Sequence, residues 1–282
     1  MIPPLPVLLY EDIVRRALAE DLGRAGDITS DAILPDNFMA LGDLVARENG
    51  RIAGLDAALL AFRLLDPAAE IDVRCADGND AAAGDVLAHI RSRGRALLAA
   101  ERTALNLLGQ LSGVATATRD VVKRLEGLAT QVIATRKTIP GLRILQKHAV
   151  RLGGGGTHRY GLDDAVLIKD NHRELAGGLR EAVDRVRASA GHMVVVEVEV
   201  DTLEQLDEAL SLSVNVVLLD NMPIPSLREA VRRTQHRVLL EASGGITPGN
   251  VREIAETGVD FVSLGWITHS ARALDVAFDV KV

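Results

Sequence analysis

The sequence predicts an α/β protein in two parts: an antiparallel sheet packed on helices, then a (β/α) barrel of parallel strands. Three observations predict it. Up to about residue 112, strand-length segments alternate with turn signals and isolated helical patterns. Beyond that point, short β-branched runs recur with helix-length spacers between them, the pattern of a sheet buried on both faces. Polar residues then gather just after run upon run, as they do at the strand ends of a barrel. An open doubly wound sheet is the alternative closure of the same pattern.

The elements follow in order. "YEDIVRRALAEDLG" has helical spacing at Ile13, Ala17 and Leu18, with Gly23 as its stop. "LGDLVARENGRIAG" predicts two short strands around Asn49-Gly50, a hairpin signal. "LDAALLAFRLLD" is an apolar helix, and "IDVRCADGNDAAAGDVLAHIRS" gives two more strands with an Asp77-Gly78 turn between them. "ALLAAERTALNLLGQL" predicts a strong helix interrupted near Ser112-Gly113. The strands of the second part are "QVIA", "AVLI", "MVVVEVEV", "NVVLL", "RVLL" and "FVSL", with spacers such as "LEQLDEALSL" and "NVREIAETG". "LRILQKHAVR" is a helix on which Arg143, Lys147 and Arg151 read as a solvated face.

Composition narrows the function. Hydrophobic residues make up 48% and aromatics 2%, so the core is built from Leu, Val, Ile and Ala. The net charge of −7 argues against a general nucleic-acid binder. A single cysteine, Cys75, excludes an internal disulfide and a multi-cysteine metal site, and points to a reducing cytoplasm. The apolar run in "MIPPLPVLLYEDIVRR" has no basic residue before it and is too short to span a membrane, so neither a signal peptide nor a membrane segment is expected.

Positive charge is concentrated in one segment. From Arg136 to Arg173 there are eight Lys/Arg (136, 137, 143, 147, 151, 159, 169, 173) against three acids (163, 164, 170). The segment contains "GGGGTHRYG", Gly153–Gly161, whose glycines help neither helix nor strand. The expectation is a small polyanion that approaches the backbone here. After the strands stand Arg136 and Lys137, Lys169, Glu197 and Glu199, Asp220, Glu241 with Ser243 and Gly244, and Gly265. Alternation along a strand points Glu197 and Glu199 the same way and does not separate them.

The motifs "TRKTIPGLRILQKHAVRLGGGGTHRYGLDDAVLIKDNH", "VEVEVDTLEQLDEAL", "LLDNM", "LEASGGIT" and "ETGVDFVSLGWITHSA" resemble the quinolinate phosphoribosyltransferase family, the decarboxylating nicotinate-nucleotide pyrophosphorylases. The match extends back through "ERTALNLLGQLSGVATATR" and more weakly to "EDLGRAGDITSDAI". The resemblance implies an N-terminal α/β sandwich (1–112, with 270–282 returning to it) plus an open (β/α) barrel with parallel strands (113–269). It implies phosphoribosyl transfer from 5-phosphoribosyl-1-pyrophosphate to quinolinate with decarboxylation, giving nicotinate mononucleotide for NAD biosynthesis. It further implies Mg²⁺ and a homodimer or higher homo-oligomer with shared sites. By the same resemblance Arg102, from a neighbouring subunit, and Arg136, His158, Arg159 and Lys169 meet quinolinate. Lys137, Glu199, Asp220, Ser243, Gly244 and Gly265 meet the phosphoribosyl pyrophosphate, with Glu199 and Asp220 at the Mg²⁺, directly or through water. Lys137, Lys169, Glu199 and Asp220 are the expected catalytic residues. Taken alone, Arg102 reads as a helix residue paired with Glu101.

The chain departs from the family's pattern at Gln110, Ala134, Thr157, Asp163 and Trp266, none of them a site residue. Two rivals remain. A molybdenum-utilisation paralogue shares much of "TRKT…HR" but departs from the "LIKDNH" present here. A Schiff-base aldolase would use Lys169 as nucleophile, but leaves the carboxylates and glycines after the later strands without a role.

Overall fold

The computed structural model describes residues 2–281. Its strands are β1 (Met39–Ala46), β2 (Gly50–Arg51), β3 (Glu70–Val73), β4 (Asp80–Ala81), β5 (Val86–Arg93), β6 (Gln131–Ala134), β7 (Gly156–Thr157), β8 (Val166–Ile168), β9 (Val196–Val200), β10 (Val216–Asp220), β11 (Leu239–Ser243), β12 (Phe261–Leu264) and β13 (Val276–Lys281). They form an antiparallel sheet in the order β13-β1-β5-β3, a seven-stranded sheet in the order β7-β6-β12-β11-β10-β9-β8, and the small pair β2-β4. All pairings in the seven-stranded sheet are parallel. Its edges, β7 and β8, leave it open.

The chain divides into two compact units, neither continuous in sequence. The first comprises the residues up to Arg119, Thr138–Gly154 and those from Trp266 on; the second comprises Asp120–Lys137 and Gly155–Gly265. In the first unit, Leu44, Ile52, Phe62, Leu87, Ile90 and Leu97 are fully buried. Phe62 of the helix Leu55–Leu65 meets Phe278 of β13 with ring centroids 5.5 Å apart. Gly42 on β1 leaves room for that Phe278 ring, which a Cβ would strike.

In the second unit, the helices Asp170–Ala176, Leu179–Ser189, Leu203–Ser211, Ile224–Thr234 and Val251–Ala255 separate successive strands. Val198, Val217, Leu219 and Val262 of this sheet are fully buried. Local chemistry sets the helix starts. Thr202 accepts a hydrogen bond from the Gln205 N–H at 3.3 Å, and Pro225 stands in the first turn after Ile224, where its missing N–H costs no bond. Among the described residues no helix is long and apolar enough to cross a membrane.

Four local expectations change. β1 and β2 do not form a hairpin: β1 lies between β5 and β13, and β2 pairs with β4. Asn49 instead accepts from the Ala83 N–H at 2.9 Å, and Gly50 is small because the Leu274 side chain occupies its Cβ position. The "IDVRC…" stretch holds three strands, and Asp77 there caps the helix Leu55–Leu65 by accepting from the Gly54 and Leu55 N–H groups at 3.1 and 2.9 Å. The helix of residues Gly94–Arg124 runs unbroken through Ser112-Gly113. The Ser112 hydroxyl bonds the Ala53 backbone, and a Cβ on Gly113 would fall on the Arg272 carbonyl oxygen. Finally, Arg143, Lys147 and Arg151 do not form a solvated face: Lys147 is fully buried and the two arginines are half-buried.

Gly113→Ala sets two effects against each other. Alanine gains about 1 kcal/mol of helix propensity, while overpacking costs ~1–3 kcal/mol. The atom struck is backbone and cannot swing away, so a lower denaturant midpoint is expected. A higher midpoint would mean that the Arg272 segment yields freely.

Candidate active site

In a cavity of the second unit the charged groups stand at, just before or just after the C-terminal ends of parallel strands, except Glu241 in the middle of β11. Thr135, Arg136 and Lys137 follow β6; His158 and Arg159 follow β7; Lys169 follows β8. Glu199 is the penultimate residue of β9, while Asp220 and Ser243 end β10 and β11. The ladder aligns Glu199 with Leu218, Leu218 with Glu241, and Asp220 with Ser243. These residues line one cavity of about 330 Å³, within the range of small-molecule sites.

The local geometry fixes most of the lining. The His158 N–H donates to the Ala134 carbonyl at 3.1 Å, extending the β6–β7 ladder. Asp164 accepts from the Tyr160 and Gly161 N–H groups at 2.7 and 2.9 Å, folding the loop back. The Arg159 guanidinium donates to the Ala165 carbonyl at 3.1 Å. Burial first, and then the neighbouring Arg136 cation, push the Arg159 guanidinium below its ordinary value, although arginine remains charged throughout the accessible range. Lys169 Nζ lies 2.7 Å from Glu199 Oε2. Asn221, with positive φ, donates from Nδ2 to Asp220 at 2.8 Å. Gly244 must be glycine: its φ is +93°, and its Cβ would collide with the Asn221 side chain.

At the cavity wall His158 meets two buried carboxylates, Glu197 and Glu241. His158 Nε2 is 2.5 Å from Glu197 Oε2 and 3.8 Å from Glu241 Oε2. The Arg159 N–H donates to His158 Nδ1 at 2.8 Å, so Nε2 carries the ring proton and donates to Glu197. The ligand atoms of the three residues lie within 4.8 Å of one another. With both ring nitrogens engaged, however, His158 has no lone pair to offer a metal there. The Glu241 carboxyl is pushed up to about 8, first by burial and then by the Glu197 charge, with His158 and Ser263 opposing. The Ser263 hydroxyl influences Glu241 without reaching hydrogen-bond geometry.

Of the residues expected at the site, Arg136, Lys137, His158, Arg159, Lys169, Glu199, Asp220 and Ser243 line this cavity. Gly244 and Gly265 follow β11 and β12 immediately, outside the lining. Arg102 also lies outside it, on the helix Gly94–Arg124; its side chain is 64% exposed, 3.8 Å from Glu101. Glu199 reaches the cavity, whereas Glu197 pairs with His158 below it.

Two readings of the sequence change. Gly153 serves chain packing, since a Cβ there would lie 2.5 Å from the Ala115 carbonyl oxygen; Gly154 has φ +91°, and no glycine of the run is in the cavity lining. Glu241, visible only as one more strand-end acid, belongs to the lining. Its signal was its register opposite Leu218, which needs the sheet order. Two of the five departures, Ala134 and Thr157, are direct register partners, so both fall on one contact.

Residues 27–112 match the quinolinate phosphoribosyl transferase N-terminal domain, and residues 114–279 match the C-terminal domain. The chain is 45% identical over 277 residues to a nicotinate-nucleotide pyrophosphorylase (carboxylating) of Mycobacterium leprae, covering 95% of this chain and 96% of the relative. The crystal structure of NadC from Streptococcus pyogenes superposes with a TM-score of 0.94 at 36% identity, covering 100% of this chain and 98% of that one. Nicotinate-nucleotide pyrophosphorylase from Francisella tularensis superposes with a TM-score of 0.93 at 38% identity, covering 99% and 98%.

The raised Glu241 carboxyl has a measurable consequence. From about pH 4.5, where a free glutamate ionises, to about pH 8, the folded protein keeps a proton that the unfolded chain has released. Stability contributed here therefore falls as pH rises through that window. Glu241→Gln lacks this dependence, so its denaturant midpoint relative to wild type should climb between pH 5 and pH 8. A constant difference would place the proton elsewhere.

Proposed function

The chain belongs to the quinolinate phosphoribosyltransferase family, and on that premise we propose that it transfers the phosphoribosyl group of 5-phosphoribosyl-1-pyrophosphate to quinolinate. The products are nicotinate mononucleotide, pyrophosphate and carbon dioxide, a step of NAD biosynthesis. One observation carries this reading to the site: Arg136, Lys137, Arg159 and Lys169 share a single cavity with the strand-end carboxylates Glu199 and Asp220. Such a cavity is complementary to a dianion beside a polyhydroxylated, phosphorylated sugar.

In this reading Arg136, Arg159 and Lys169 hold the two carboxylates of quinolinate, with the His158 ring as floor. Arginine suits the task because its planar fork meets a carboxylate at two points. Glu199 and Asp220 take the ribose hydroxyls, and Ser243 with the Gly244 and Gly265 backbone takes phosphate. Lys137 stabilises charge on the departing pyrophosphate as the sugar C1 becomes oxocarbenium-like. The pyridine nitrogen then forms its bond to C1 while the C1–oxygen bond breaks. The electron pair left on the ring carbon when its carboxylate departs as carbon dioxide is stabilised by the adjacent cationic ring nitrogen, and that carbon then takes up one proton. Positioning and charge complementarity are the protein's main contributions.

Mg²⁺ fits the donors present. Glu199 and Asp220 are hard oxygen ligands on one cavity, and a bound Mg²⁺ supplies neutralisation of pyrophosphate charge. We place the enzyme in a reducing cytoplasm on the strength of its single cysteine. We also assign it a homodimer or larger assembly in which Arg102 serves a neighbouring subunit's site.

Conversion of quinolinate, 5-phosphoribosyl-1-pyrophosphate and Mg²⁺ to nicotinate mononucleotide tests the activity directly; its absence under these conditions would reject it. Within the reaction, Lys137→Ala should suppress turnover far more than it weakens quinolinate binding. Arg159→Ala should mainly weaken that binding, by about 1.5–3 kcal/mol for a charge-assisted contact. Calorimetry showing unchanged affinity for Arg159→Ala would remove that assignment.

The shared site has its own test in complementation between the inactive variants Arg102→Ala and Lys169→Ala. Acting across an interface, they leave a mixed dimer with one site carrying both defects and one carrying neither. Exchange of equal amounts should restore up to about one quarter of wild-type activity, because half the dimers are mixed and one site in two is intact. Demonstrated exchange with no recovery would return Arg102 to its pairing with Glu101.

A further inference from the structure

We propose that Glu241 is a positioning residue for quinolinate capture: by a hydrogen bond to Glu197 it fixes the His158 ring and, through that ring, the backbone at Arg159. The inference rests on the reading of the cavity as a quinolinate site.

Two donors of this layer run in one direction, toward Glu197. His158 Nε2–H donates to Glu197 Oε2 at 2.5 Å, and the Arg159 N–H donates to His158 Nδ1 at 2.8 Å. The two carboxyl side chains are 5% and 3% exposed. Glu197 Oε1 is buried and receives no N–H or hydroxyl donor, an arrangement that costs a buried carboxylate heavily. Glu241 is the neighbour able to meet it, because two adjacent buried carboxyls share a proton more readily than both ionise. A carboxyl O–H from Glu241 then completes the chain from β11 through β9 to the loop after β7.

Both His158 nitrogens are spent inside the protein. The ring therefore holds shape in the pocket, and the charge offered to substrate comes from the neighbouring cations. Glu241 lies on the cavity wall, so loss of its hydrogen bond would loosen the floor from within.

The test compares Glu241→Leu, similar in size but without a donor, with Glu241→Gln, whose amide N–H replaces the O–H. Glu241→Leu should raise KM and Kd for quinolinate roughly tenfold or more, the scale of a lost hydrogen bond to a charged group, with KM for 5-phosphoribosyl-1-pyrophosphate changing less than about twofold. Glu241→Gln should rescue quinolinate binding to within about threefold of wild type. Nitrogen-15 spectra of the histidines should show His158 as the Nε2–H tautomer in wild type and Glu241→Gln, and a tautomer mixture in Glu241→Leu.

The inference is overturned if a folded Glu241→Leu protein binds quinolinate normally, if both KM values rise together, or if Glu241→Gln fails as badly as Glu241→Leu. Should Glu241→Leu not fold, Glu241→Gln decides alone: near-normal quinolinate binding with the Nε2–H tautomer supports the chain, and a tenfold loss overturns it. Wild-type protein that neither binds nor converts quinolinate overturns this inference together with the function. An active wild type with either variant behaving otherwise overturns this inference only.

Discussion

Parallel pairing is the constraint on which the site depends. Residues from Arg136 to Ser243 meet because parallel strands all end on the same side and the ladder sets them side by side. The cations would not gather there unaided. Arg136 and Arg159 are close enough for one to disfavour the charge of the other. Backbone hydrogen bonds and buried valine and leucine on β9, β10 and β12 hold them against that repulsion. An anion that relieves the repulsion recovers interaction energy already stored in the fold, the usual advantage of a preorganised polar site.

Much of this was legible because strand ends leave a plain mark. A β-branched run followed by a charged residue fixes both an element and a direction, and eight predicted residues converge on one cavity. Depth was less legible. Glu197 and Glu199 share a face of β9, but two residues along a strand is roughly 6.6 Å. That distance takes one carboxylate from the Lys169 ion pair at the cavity to the buried His158 contact. No local pattern states how far a strand projects beyond its neighbours. Lys147 shows the same limit, since a lysine on an amphipathic helix reads as solvated until the packing around that helix is known.

Turn signals failed for a related reason. Asn49-Gly50 has hairpin chemistry, yet β1 takes partners from far along the chain, including the last strand. The best local pairing yielded to one that lays the Phe278 ring over Gly42 and beside Phe62. Helix interruption at Ser112-Gly113 was inferred from propensity, whereas the pair serves close approach to Ala53 and Arg272. Propensity describes a residue's own freedom and carries no record of which distant segment will lie against it.

The close-packed glycines bear on how natural variation in such a chain should be interpreted. Gly50, Gly113 and Gly153 each occupy a place where another segment of the first unit fills the space of a side chain. Gly244 stands beside the cavity, wedged against Asn221. A clinical or evolutionary survey that scored only loss of enzyme activity would place all four in one class. Their physical origins divide them: at the first three a side chain would strike a segment of the first unit, while at Gly244 it would strike Asn221, next to a residue of the cavity lining. Abundance and specific activity, recorded separately, would sort inherited changes into those that a folding aid could relieve and those that it could not.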